Sequence, residues 1–169
     1  RRIDLYSQIY KNCKTICGDL SNKKIFKKTV DEALKFKVDV VMAAPPCQGM
    51  STAGQLIEND IRNNLIVPTL KFINKTSPKY IFIENVPKFL KTSIGYKNKD
   101  ILIPDLIKKE LDNSYEIQID VVDTQNYSVP QVRERAIILM TRKDVRKKWH
   151  FPRKEKNIAT IKDVIGHLP

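Results

Sequence analysis

Val38 to Gly54 reads VDVVMAAPPCQGMSTAG. Its first five residues, Val38 to Met42, form a short apolar run bounded by turn residues, the pattern of a strand covered on both faces. Pro45 and Pro46 have no N–H to give a ladder, so they end the strand and stiffen the chain just ahead of Cys47. Gly49 and Gly54 then free the backbone to turn. In an open α/β sheet, ligands bind beyond the carboxyl ends of the strands. A thiol braced there by two prolines is a candidate nucleophile. Taken alone, such a cysteine is more often buried and inert, so the flanking sequence has to decide.

Working outward, strand and helix patterns alternate. Ile3 to Asn12 reads as a helix, and Lys14 to Cys17 as a short strand ending at Gly18-Asp19. Ser21 is placed to cap a helix from about Asn22 to Phe36, with Phe26, Val30, Ala33 and Leu34 at helical spacing. Beyond the cysteine loop, Ile61, Leu65, Leu70 and Ile73 suggest a helix that Pro68 either kinks or starts. Tyr80 to Ile83 is a strand closed by Pro87, and Lys88 to Lys99 a polar loop or short helix. Pro104 suits a first helical turn, followed by the stripe Leu106, Ile107, Leu111. Tyr115 to Val121 alternates apolar and polar residues, and Ala136 to Met140 is a last apolar strand. These two are joined by a loop, so they should pair antiparallel at the sheet edge. The fold class expected is α/β, a mostly parallel sheet with an antiparallel edge strand.

Three further stretches decide how Cys47 is read. They are Glu84-Asn85-Val86 at a strand end, Gln131-x-Arg133-x-Arg135, and the Pro46-Cys47-Gln48 triplet itself. With Gly18-Asp19-Leu20 and Asp60-x-Arg62-Asn63, they occur in the order that resembles the DNA (cytosine-5) methyltransferases. The resemblance covers nearly all of this chain but not a whole enzyme of that family. It implies a Rossmann-like methyltransferase fold dependent on S-adenosylmethionine, here truncated at both ends. Residues 1–145 would be a partial catalytic domain. Residues 146–169 would be a basic connector toward a target-recognition domain.

The chemistry accounts for the residue types. Carbon 5 of cytosine is a weak nucleophile. A thiolate adding at carbon 6 makes carbon 5 enamine-like and able to attack an electrophilic methyl group, and Cys47 would be that thiolate. The thiol needs positive charge or donors nearby to ionise, and Arg133 and Arg135 are candidates. Glu84, if it carries or shares a proton, can donate to ring nitrogen 3 and accept from the amino group. Its plainer reading is a strand-end acid paired with an arginine. By resemblance, Arg135 would contact the flipped base and Arg133 a neighbouring phosphate. Asn85 would organise the loop, Val86 line the pocket, and Gln131 position its strand. Gln48 and Ser51 would belong to a loop closing over the base, which must leave the stack to reach Cys47. Asp19, Leu20, Pro46 and Leu65 would face the cofactor. The plainer readings are a turn for Gly18-Asp19 and a helix cap for Asp60.

The chain has 169 residues and a net charge of +12, with 31 basic residues. That charge suits a polyanion such as double-stranded DNA, although most of it is lysine, which an AT-rich genome also favours. Residues 141–169 carry nine basic and three acidic side chains, half of the net charge. Cys13, Cys17, His150 and His167 lack metal-site spacing, and an odd cysteine count argues against a disulfide framework. No apolar run is long enough to span a membrane. The expectation is a bacterial cytoplasmic protein with no metal. The family's glycine-rich cofactor loop and its recognition domain are not seen. The chain therefore reads as a fragment, or as one half of a split enzyme with a second chain supplying the missing parts, and in either case as nearly inactive alone. The leading function is methylation of cytosine carbon 5 in DNA, within restriction–modification. The alternatives are a transfer-RNA cytosine-5 methyltransferase and an inactive half that binds DNA or a partner subunit.

Overall fold

The structure, a computed structural model, describes residues 2–46, 64–155 and 158–168. Its main sheet has the order β1-β2-β6-β5. β1 (Val40–Ala43) runs parallel to β2 (Tyr80–Asn85), with Val41 opposite Ile81 and Ala43 opposite Ile83. β6 (Glu134–Arg142) runs antiparallel to both β2 and β5 (Tyr115–Asp123). The antiparallel pair thus sits at the sheet edge as expected, and the strand reversed against the rest is β6, one place in. Three strands share a direction, so their carboxyl ends form one rim.

Alternation along the strands sends every second side chain to one face. There Ile81, Ile83, Ile138 and Met140 meet α3 (Ile66–Thr76) and α4 (Ile103–Leu111). Ile66, Leu70, Ile73, Leu106, Ile107 and Leu111 supply the helical side of this core. Burying each such side chain contributes roughly 1.5–3 kcal/mol. Pro68 marks the start of α3: it falls in the first turn, where no intrahelical N–H bond is due. Pro104 does the same for α4. α2 (Lys23–Lys35) packs beside α3 and buries Val30 and Ala33. α1 (Arg2–Ile9) precedes it.

Five expectations are corrected. Ser21 does not cap α2; Asn22 does, its side chain accepting from the N–H groups of Lys24 and Ile25. Leu34 lies off the buried stripe and is 51 % exposed. β1 is not covered on both faces, because Val40 and Met42 point away from the helices and are exposed. Lys14 to Cys17 forms no ladder. It is held instead by side chains: Lys14 reaches Glu32 of α2 at 3.0 Å, and the hydroxyls of Ser7 and Thr15 share a 3.0 Å bond. The stretch 88–99 is not only a polar loop. A 3-10 turn, Pro87–Lys91, leads into a hairpin of β3 (Ser93–Tyr96) and β4 (Lys99–Leu102). Lys97 and Asn98 both have positive φ, as a two-residue hairpin turn requires. No helix among the described residues is long and apolar enough to cross a membrane.

After β6 the chain folds back over the sheet face opposite the helices. The Trp149 ring stacks on Tyr80 with centroids 5.0 Å apart. The Trp149 N–H donates to Thr141 Oγ1 at 3.0 Å, and Gln118 donates to the Trp149 carbonyl. Lys148 pairs with Glu116 at 2.7 Å. The Glu155 N–H then reaches the Asn126 carbonyl at 2.8 Å, in the 3-10 turn Thr124–Tyr127 that follows β5. Residues 146–155 are therefore strapped to the sheet. The short α5 (Ile161–Ile165) follows, closed by a capping box between Thr160 and Asp163.

Candidate active site

Two features meet at the carboxyl rim. The first is a pocket of about 460 Å³ between α2, α3 and the end of β1. Asp19, Leu20, Pro46 and Leu65 all line it, so the structure brings together the four residues assigned to the cofactor side. Gly18 permits the turn beneath them: its φ is +155°, and a Cβ there would sit 2.8 Å from the Ile25 side chain. One Asp19 oxygen accepts from the Ser21 N–H at 2.8 Å, fixing the carboxylate. Thr29, Pro68, Thr69 and Phe72 complete the helical walls. Sequence reading had not assigned these four. The signal was available in the helix period, since Thr29 stands one turn after Ile25 on the inner side of α2.

The second feature stands where β2 ends and β6 begins. Glu84 Oε1 accepts from Arg135 Nε at 2.8 Å, and both side chains are about two-thirds or more covered. Register places them here: Glu84 lies opposite Ile137 and Asn85 opposite Ala136, so Arg135 falls one residue past the last β2 pair. A charge-assisted bond in partial shelter is stronger than an exposed one. Arg135 also donates to the Glu134 carbonyl at 2.7 Å. The plainer reading of Glu84, an acid paired with an arginine, describes this geometry. It leaves Oε2 without a partner among the described residues.

Asn85 joins the two features. It is 3 % exposed, its amide donates to the Pro45 carbonyl at 3.0 Å, and its own oxygen accepts from the Val86 N–H at 2.9 Å. Pro45 also lines the pocket. The turn that leads directly into Cys47 is thus pinned to the end of β2. Val86 packs against the hydrophobic core. Gln131 and Arg133 are exposed and tied elsewhere: their carbonyls accept from the Thr124 hydroxyl and the Thr124 N–H. Arg133 and Arg135 are therefore not equivalent, one being open to solvent and the other locked on Glu84. Cys47, Gln48, Ser51, Asp60, Arg62 and Asn63 lie outside the described residues.

Comparison with known proteins gives a consistent relationship. Residues 1–169 match the family described as C-5 cytosine-specific DNA methylase. The type II methyltransferase M1.HgaI of Avibacterium volantium is 41 % identical over 174 residues, covering 100 % of this chain and 48 % of that protein. M1.HphI of Haemophilus parahaemolyticus is 31 % identical, covering 79 % of this chain and 35 % of its own length. The chain thus spans less than half the length of these relatives. Among solved structures, a prophage-encoded DNA modification methyltransferase of E. coli superposes with a TM-score of 0.65 at 24 % identity. That match covers 90 % of this chain and 41 % of the other. The S. pombe Dnmt2 methyltransferase gives 0.63 at 19 % identity, covering 95 % and 47 %. These two likenesses speak to the fold.

Proposed function

The chain belongs to the C-5 cytosine-specific DNA methylase family, and from that premise we propose that it methylates carbon 5 of cytosine in double-stranded DNA, within a restriction–modification system. The observation that carries the reading is the joint at Asn85: one buried amide ties the Pro45-Pro46 turn, and hence the approach to Cys47, to the strand end that bears Glu84 and its partner Arg135.

In this reading the Cys47 thiolate adds to carbon 6 of a base flipped out of the duplex, forming an S–C bond and loading electron density onto the ring; once carbon 5 carries the methyl group, loss of its proton breaks the S–C bond and restores the thiolate. Glu84 places its carboxyl at the ring edge, where a proton on Oε2 would be shared with nitrogen 3 and offset that density. Arg135 fixes the other oxygen, so the carboxyl presents one defined face. Gln48, Ser51, Val86 and Gln131 serve the base and its surroundings, and Arg133 a phosphate. Asp19, Leu20, Pro46 and Leu65 hold S-adenosylmethionine, whose electrophilic methyl group is what it supplies when bound. Fit supports this: a pocket of about 460 Å³ is in the usual range for such a ligand. Its apolar walls and single fixed carboxylate suit a molecule with a flat ring and amino groups.

The test is transfer of tritiated methyl from S-adenosylmethionine, by the protein carrying this chain, to unmethylated genomic DNA and separately to total RNA. Label is expected in DNA and should fall to background with Cys47→Ala. Label that survives Cys47→Ala, or that enters RNA and not DNA, would overturn the reading.

A further inference from the structure

We propose that Arg153 is a second phosphate anchor for the duplex, acting beside Arg133, and that the Trp149 strap holds it at the rim. The proposal rests on the DNA-methylating reading above and adds a residue to it.

Both arginines are fastened to one small hub, the 3-10 turn Thr124–Tyr127. The Thr124 N–H donates to the Arg133 carbonyl at 3.1 Å, and two residues beyond Arg153 the Glu155 N–H donates to the Asn126 carbonyl at 2.8 Å. Both side chains are exposed, and neither guanidinium has a side-chain partner among the described residues. That sets them apart from Arg135, locked on Glu84, and Arg142, locked on Asp144 at 2.7 Å. An exposed guanidinium on a fixed backbone is a ready phosphate ligand, because its planar fork of donors matches phosphate and less side-chain freedom is lost per bond formed. General lysine enrichment does not account for an arginine here.

The strap explains why position 153 is defined at all. Trp149 is gripped by a ring stack on Tyr80, by Thr141 and by Gln118. Those partners lie on β2, β6 and β5, so the strap is referenced to three strands at once. From there the chain returns toward the carboxyl rim and is pinned again at Glu155. Arg153 sits between the two fastenings. Trp149 is thus a positioning residue that touches no substrate.

A phosphate contact adds affinity without sequence choice and releases counterions, so salt dependence is its signature. The experiment measures duplex binding by the protein carrying this chain across a salt series, on one cytosine-containing and one cytosine-free duplex. Arg153→Gln should weaken binding equally on both and reduce the slope of log K against log salt by about 0.9. Arg153→Lys should keep the slope, since the charge remains. Trp149→Ala should lower the slope as Arg153→Gln does, with Arg153 intact. An unchanged slope in Arg153→Gln would overturn this proposal alone. No salt-dependent binding of duplex DNA by the unsubstituted protein would overturn it together with the reading it rests on.

Discussion

Ile83 and Met42 sit on adjacent strands of one sheet, yet Ile83 is 0 % exposed and Met42 is 75 % exposed. The difference runs through the molecule. On β2 and β6, the helix-facing side chains are sealed under α3 and α4. Around β1 and α2, by contrast, the helix-facing Val41 and Ala43 are only partly buried, and Leu34 and Phe36 reach solvent. The Glu84–Arg135 pair is seated on the sealed half, whereas the pocket takes much of its wall from the thinner one. Groups whose orientation matters stand on the part with the deepest packing, and the walls that must admit a ligand are drawn from the part with less. Asn85 is the tie between them.

Five substitutions would break or sharpen that contrast. Ile83→Ala should cost about 2–5 kcal/mol in a urea melt, while Met42→Ala should change stability by about 0.5 kcal/mol or less. Equal losses would erase the distinction. Asn85→Ala strips partners from the Val86 N–H and the Pro45 carbonyl, and should cost about 1–3 kcal/mol. In the reading proposed above it should also slow methyl transfer, because it frees the turn before Cys47. The smallest effect is a pH dependence. Burial pushes the Tyr115 hydroxyl up to about 12 from the ordinary value of 10.0, and that hydroxyl donates to the Pro78 carbonyl. The folded state keeps its proton longer than the unfolded chain does. Its stabilisation is therefore whole below pH 10 and is lost as pH rises toward 12, at about 1 kcal/mol per pH unit. Tyr115→Phe should flatten that limb in melts across the range. Tyr6 on α1 is also raised, mainly by the charge of Cys13, but it is exposed. Tyr6→Phe should leave the limb as it is.

Much of the sealed half was legible in the sequence because its elements rest on local rules. Pro104 started a helix, Leu106, Ile107 and Leu111 faced inward, and Tyr115 alternated out to Val121. The strand end at Glu84 could be named for the same reason. What escaped depends on neighbours. Val40 to Met42 is apolar whether or not a second layer covers it, so periodicity could not foresee the exposure of Met42. Lys14 to Cys17 has strand composition, but a ladder needs a partner. The hairpin 93–102 was hidden because its turn is Lys97-Asn98, without the glycine that usually betrays positive φ. Of the site, Asp19, Leu20, Pro46 and Leu65 on the pocket wall, and Glu84, Asn85 and Arg135, were singled out in the sequence, whereas Thr29, Pro68, Thr69 and Phe72 were not. The sequence separated the roles of Arg133 and Arg135 but did not say which arginine pairs with Glu84, because that depends on where β6 begins, at Glu134.

The insertion of β6 between β2 and β5 also has a consequence for assembly. β5 and β6 are consecutive, joined through residues 124–133, so their pairing is local in sequence compared with that of β2 and β6. β2 leaves the ribosome well before either, with one flank waiting for β6. Glu84 therefore has no Arg135 to grip until the hairpin docks on it. The bond that orients the carboxyl doubles as a timestamp: it closes only once the long-range pairing of β2 and β6 is complete.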